Sequence, residues 1–119
     1  MEPAYRYMAN LKRVVDGDTM DLVVDAGFYL SVHQRFRLRD IDTPEMFGVN
    51  KESAEYHKGV EAKEFVKQRF AQNEGKCIVE SYHTGVYGRW IGIIWFPDSD
   101  TSLNSELLEK GLAEPYTKK

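Results

Sequence analysis

The stretch VVDGDTMDLVVD, from Val14 to Asp25, carries Asp16, Asp18 and Asp21 within six residues. Carboxylates at such close spacing are one way to hold a hard cation through oxygen. The same stretch has Asp-Gly between two runs of alternating apolar residues, which is a strong signal for a two-residue hairpin turn. Taken alone, it reads equally as an acidic turn or as part of a metal site. It is not an EF-hand loop, because Met20 and Asp21 stand where a fifth-position oxygen ligand and a glycine are needed.

A second charged stretch, RFRLRDIDTPE, runs from Arg35 to Glu45. On a strand, Arg35, Arg37 and Arg39 share one face and Phe36 and Leu38 the other. Cations on one face repel unless the face is solvated or meets an anion, so the segment reads as a charged edge strand or as an anion-binding surface. Asp40, Asp42 and Glu45 follow where Pro44 ends the strand. A strand end offers side chains and free carbonyls together, which suits calcium or magnesium. An acidic turn with Asp42 or Thr43 capping the next element is the plainer alternative. The third stretch, YGRW, places Gly88 at a close approach or bulge and Arg89 at a strand mouth, where a solvated arginine is also an ordinary finding. His33, His57 and His83 have no zinc-ligand spacing with Cys77, and neither a glycine-rich phosphate loop nor a nucleophile elbow is present.

These residues need elements to position them. Strands are expected from Tyr5 to Val15, Thr19 to Asp25 and about Ser31 to Ile41, with a second hairpin turn at Gly27. The residues MFGVNKES read as a loop. Ala62, Phe65, Val66 and Phe70 repeat at helical spacing and predict a helix from Glu61 to Ala71, stopped by Gly75. Strands at Cys77 to Tyr82 and Arg89 to Phe96 precede a helix from Ser102 to Lys110, closed by Gly111 so that Leu112 folds back on Leu107. Five strands with a helix inserted after the third suit an α+β fold, either a small Greek-key barrel of the OB type or an open sheet.

With 119 residues, 42% hydrophobic and 29% charged, the chain is expected to form one globular domain over residues 1–119. A single cysteine excludes an internal disulfide, and Cys77 in KCIVESY reads as a buried, inert thiol. No apolar run approaches the roughly 20 residues of a membrane span. The N-terminal residues MEPAYRYMANLKR lack the apolar core of a secretory signal, so the chain reads as intracellular or phage-encoded, or as secreted if a leader has been omitted. The net charge of −3 argues mildly against nucleic acid, although a local cation cluster overrides a global balance.

Together, DGDT, FRL followed by IDTPE, YGR and LNSELLEKGLA, in this order from about Lys12 to Ala113, resemble the staphylococcal nuclease (thermonuclease) family. The resemblance implies a five-stranded OB-fold barrel with two helices and calcium-dependent phosphodiesterase activity on DNA and RNA. It also implies that Asp18 and Asp42 ligate the metal, with calcium first and other divalent cations possible, together with the backbone carbonyl of Thr43. Glu45 falls on the carboxylate near the attacking water, and Arg37 and Arg89 on the two phosphate-binding arginines. Tyr116 is a candidate nucleotide-stacking aromatic, while Asp40 is an extra carboxylate beside the site. The expected partner of this monomer is DNA and/or RNA, with no membrane. A non-catalytic nucleic-acid or protein-binding module on the same fold is the main alternative, and an unrelated calcium-binding structural domain is a third.

Overall fold

The computed structural model describes residues 4–83 and 90–116. Strands β1 (Arg6–Asp16), β2 (Thr19–Gly27) and β3 (Leu30–Leu38) form an antiparallel meander. The short β4 (Ile41–Asp42) and helix α1 (Ala54–Gln72) come next. Then follow β5 (Lys76–His83), β6 (Trp90–Trp95), helix α2 (Leu103–Glu109) and the short β7 (Glu114–Pro115). β1, β2, β3, β6 and β5 close into a barrel in that order, with β3 and β6 parallel, and β4 pairs with β7 outside it. The expected α+β barrel with two helices is therefore the fold, and the open sheet is excluded.

Alternation decides which side chains fill the barrel. Met20, Leu22 and Val24 of β2 and Phe36 and Leu38 of β3 point inward and are buried, with Val79 and Ile94 opposite them. Helix α1 adds Ala62, Val66 and Phe70 to this interior, and the Phe70 ring meets Phe96 edge-on at 4.9 Å. Arg69 reinforces the junction by reaching Asp98 at 2.8 Å and Glu106 at 2.9 Å, so α1, the β6–α2 loop and α2 are tied by one guanidinium. Gly111 at φ 70° closes α2, and the Leu112 N–H donates to Leu107 O at 2.9 Å, as expected.

Four expectations need correction. Helix α1 begins at Ala54 and not at Glu61, capped by Ser53, whose hydroxyl accepts the Tyr56 N–H. Its first turns are mostly exposed, so they lack the apolar rhythm that marks the rest. The third strand stops at Leu38, because Arg39 and Asp40 form a turn with Asp40 at φ 63°. β3 is not an edge strand, since β2 and β6 flank it on either side. The β2–β3 turn falls on Phe28 and Tyr29, one residue after Gly27, which instead follows a register shift.

Two glycines are explained by space and not by backbone freedom. A Cβ on Gly17 would lie 2.8 Å from Ala62 Cβ and 2.9 Å from Thr43 Cγ2. A Cβ on Gly59 would lie 2.8 Å from the Pro44 carbonyl oxygen and 2.7 Å from Met46 Cγ. The hairpin turn, the Thr43–Glu45 segment and α1 thus touch through these two positions. On helix propensity alone Gly59→Ala gains up to about 1 kcal/mol. The backbone contact predicts a net loss instead, of about 1–3 kcal/mol as for other overpacking changes, read from urea unfolding. A more stable Gly59→Ala would show that the contact yields freely.

Cys77 lies fully inside the core, and burial pushes its thiol up to about 12. The native protein should therefore resist alkylating reagents at neutral pH and react only when unfolded, as monitored by mass spectrometry. Fast labelling of the folded chain would contradict this placement.

Candidate active site

The turn between β1 and β2 consists of Gly17 and Asp18, with Asp16 paired to Thr19. Gly17 is not among the positive-φ residues, so the Asp-Gly signal marks a real turn whose glycine serves close packing. Asp18 is buried, and its backbone and side chain are both engaged. The Leu38 N–H donates to Asp18 O at 2.8 Å, the Thr43 N–H to Asp18 Oδ2 at 3.2 Å, and the Thr19 hydroxyl to Oδ1 at 3.1 Å. One residue therefore fastens the first hairpin to the end of β3 and to the segment after β4.

Arg37 joins this group from the outer face of β3. Its Nη2 lies 3.1 Å from Asp42 Oδ1 and 3.7 Å from Asp18 Oδ2. Asp42 and Asp18, remote in sequence, thus converge on one guanidinium. The Arg37 guanidinium also lies 4.7 Å over the Tyr116 ring, which β7 brings in through its pairing with β4. Thr43 is buried behind Asp42. Glu45 is exposed and lines a depression of about 360 Å³ together with Asp42, Thr43, Glu55, Lys58 and Glu114. Five of the six residues singled out from the sequence (Asp18, Arg37, Asp42, Thr43 and Glu45) therefore lie around one end of the barrel. Arg89 lies outside the described residues, as do Tyr87 and Gly88.

The other two arginines of the stretch have separate partners. Arg35 reaches across to Asp21 at 2.7 Å, its register neighbour on β2. Arg39 pairs with Asp40 at 3.6 Å and stacks on Tyr82.

The carboxylates differ in their electrostatics. Burial raises the Asp18 carboxyl, but hydrogen bonds from Asp16 and the Thr43 N–H, together with the Arg37 charge, outweigh burial and hold it below the usual range. Burial, then hydrogen bonding to and the charge of Asp18, push Asp16 up to about 7. Asp42 is raised by burial and by the Asp18 charge, against the pull of Arg37. Asp18 and Asp42 therefore sit close enough for one charge to disfavour the other. A hard cation would relieve that repulsion, and the oxygen-only donor set of two carboxylates and a carbonyl fits calcium or magnesium. Among the described residues no group of three or more His, Cys, Asp or Glu side chains is arranged to hold a metal ion, so such a set would lean on the Thr43 carbonyl and water.

Asn104 was not anticipated from the sequence. It is buried on α2, donating to Arg39 O at 3.1 Å and Gly92 O at 3.2 Å while accepting the Ile94 N–H at 3.2 Å. It fixes the corner from which Asp40 and Asp42 emerge. Its only sequence signal is a polar residue within the otherwise apolar face of LNSELL. A larger cleft of about 540 Å³, lined by Tyr7, Val24, Phe36, His83 and Trp90 among others, opens at the other end of the barrel and contains none of these site residues.

A closed five-stranded barrel with opposed charges gathered at one end defines an OB-type domain with a polar surface site. The family model described as staphylococcal nuclease homologue matches residues 35–119, and the chain belongs to that family. The matched segment holds Arg37, Asp42, Thr43, Glu45 and Arg89, while Asp18 and the first hairpin precede it. A search of curated proteins finds no match.

The electrostatics separate Asp18 from Asp42 in stability. A carboxylate whose folded pKa is depressed stabilises the fold above its unfolded pKa and loses that contribution as pH falls through the folded value. Asp18 is of this kind, and its removal also strands the buried Thr43 N–H. Asp18→Ala should therefore cost about 1–3 kcal/mol at pH 7 in chelator. Asp42, raised and half-exposed, should be replaceable by Ala with no loss of stability. Equal urea midpoints for the two variants would contradict the assignment of Asp18 as the fastening residue.

Proposed function

We propose that this chain is a divalent-cation-dependent phosphodiesterase, an endonuclease acting on DNA and/or RNA with little sequence preference and with calcium as its first metal. The observation that carries this reading is the convergence of Asp18 and Asp42 on Arg37, beside Glu45, in a member of the staphylococcal nuclease family. Hydrolysis of a phosphodiester adds a nucleophile to a centre that is already anionic. A bound divalent cation supplies Lewis-acid charge neutralisation at a nonbridging oxygen. Asp18, Asp42 and the Thr43 carbonyl would hold that cation.

The remaining work falls to the chain's own side chains. Arg37 offers a planar fork to phosphoryl oxygens, and its grip tightens as negative charge develops there. Its carboxylate partners hold it beside Asp18 and Asp42. Glu45 is exposed to solvent at the rim, where it can orient a water molecule and accept its proton. Arg89 is assigned as the second phosphate arginine on the resemblance alone.

The test is cleavage of plasmid DNA and of RNA by purified protein in calcium, magnesium or chelator. Cleavage is expected with a divalent cation and is expected to stop in chelator. Glu45→Gln should bind nucleic acid as before while cleaving about 10²–10⁴-fold more slowly. Arg37→Lys should lose about 10²–10³ in rate, because lysine cannot reproduce the fork. Arg35→Lys should cleave normally, since Arg35 serves the Asp21 pair. Tight nucleic-acid binding without cleavage under any metal condition would mark the chain as a binding module instead. Full activity in chelator would overturn the metal mechanism.

A further inference from the structure

The nuclease reading accounts for Arg37 but leaves the neighbouring pair of Arg39 and Tyr82 without a role. The Arg39 guanidinium lies 4.2 Å over the Tyr82 ring. A cation–π pair can exist on a surface for its own sake. Its placement here adds something further. Arg37 on β3, Ile91 on β6 and Tyr82 on β5 are register partners, so they form one row across the outside of the barrel. With strands about 4.8 Å apart, the row carries the backbone from Arg37 to Tyr82 in about 10 Å. Tyr82 therefore stands beside the candidate site, on the same face as its phosphate arginine.

The ring is also held in place. Glu80 Oε2 accepts the Tyr82 hydroxyl at 2.9 Å, and Glu80 Oε1 accepts from Arg6 at 2.8 Å and from the Trp95 indole at 2.7 Å. A fixed ring loses little freedom when something stacks on it. Arg39 keeps 43% of its side chain exposed, and its Asp40 partner is 79% exposed, so that ion pair is readily exchanged for a phosphate. Guanidinium planes and aromatic rings are the two surfaces on which unstacked bases are commonly received.

We propose that Arg39 and Tyr82 form a stacking platform for the base of a nucleotide flanking the phosphodiester at Arg37. The proposal rests on the nuclease reading and adds a flanking subsite to it. The platform is sequence-tolerant, because every base has a π face. It engages bases that are free to leave their own stack.

The test is fluorescence anisotropy with labelled decathymidylate and with an abasic decamer of the same phosphate charge, in calcium buffer. All proteins carry Glu45→Gln so that cleavage is slow during the measurement. Adding Tyr82→Leu should weaken decathymidylate binding about five- to a hundredfold, the range expected for loss of one base stack, and should not change abasic binding. Arg39→Gln should weaken both strands through the lost charge and decathymidylate further through the lost plane, and Tyr82→Phe, which keeps the ring, should restore affinity. Thermal melting confirms that each variant is folded. Equal decathymidylate affinity for Tyr82→Leu and its parent overturns the platform while leaving the nuclease reading standing. So does a Tyr82→Leu loss that persists on the abasic strand. A parent protein that binds neither decamer overturns both.

Discussion

The carboxylate of Asp18 joins parts of the chain that nothing in their order brings together. Its two oxygens accept from Thr19 within the hairpin and from Thr43 beyond β4, and its peptide oxygen accepts the N–H of Leu38. Burying a charge is costly unless hydrogen bonds and an opposite charge compensate for it. Here two donors and the guanidinium of Arg37 do so, and burial thereby becomes a constraint on position. The turn cannot move without stranding the Thr43 N–H, and Thr43 cannot move without shifting Asp42. The close approaches at Gly17 and Gly59 hold the hairpin turn and the Thr43–Glu45 segment against α1 as well.

Under the proposed function, an acidic chain must meet an anionic substrate. The net charge of −3 is an average over the molecule, and the local field depends on which charges are already paired. Arg35 is committed to Asp21 and Arg69 to Asp98 and Glu106. Arg37 is shared between two carboxylates, of which Asp42 is raised by burial and then by the Asp18 charge. A cation delivered to those carboxylates would leave the guanidinium available to a phosphate.

Much of this was legible in the sequence because alternation and helical rhythm are written in single residues. Phe36 and Leu38 inward against Arg35 and Arg37 outward, and the α2 stop at Gly111, follow from type and spacing. Closure of the barrel was not legible from strand order alone, since an open sheet has the same order. The early start of α1 was hidden because its first turns are mostly exposed and lack the apolar rhythm of the rest. The reason for Gly59 there is a tertiary contact with the Pro44 carbonyl. The end of β3 at Arg39 and Asp40 was hidden for a similar cause, since a left-handed Asp40 and the Asn104 hydrogen bonds act through neighbours distant in sequence. The residue types around the site were readable, but the contact of Asp18 with Thr43 requires the fold.

Calcium titration by isothermal calorimetry asks whether Asp18 and Asp42 act as one site. The unmodified protein should bind one calcium per chain, with binding abolished or greatly weakened in Asp42→Asn while thermal melting in chelator stays unchanged. Calcium binding that is equally strong in Asp42→Asn, or absent from the unmodified chain, would rule out a metal site built on Asp18 and Asp42.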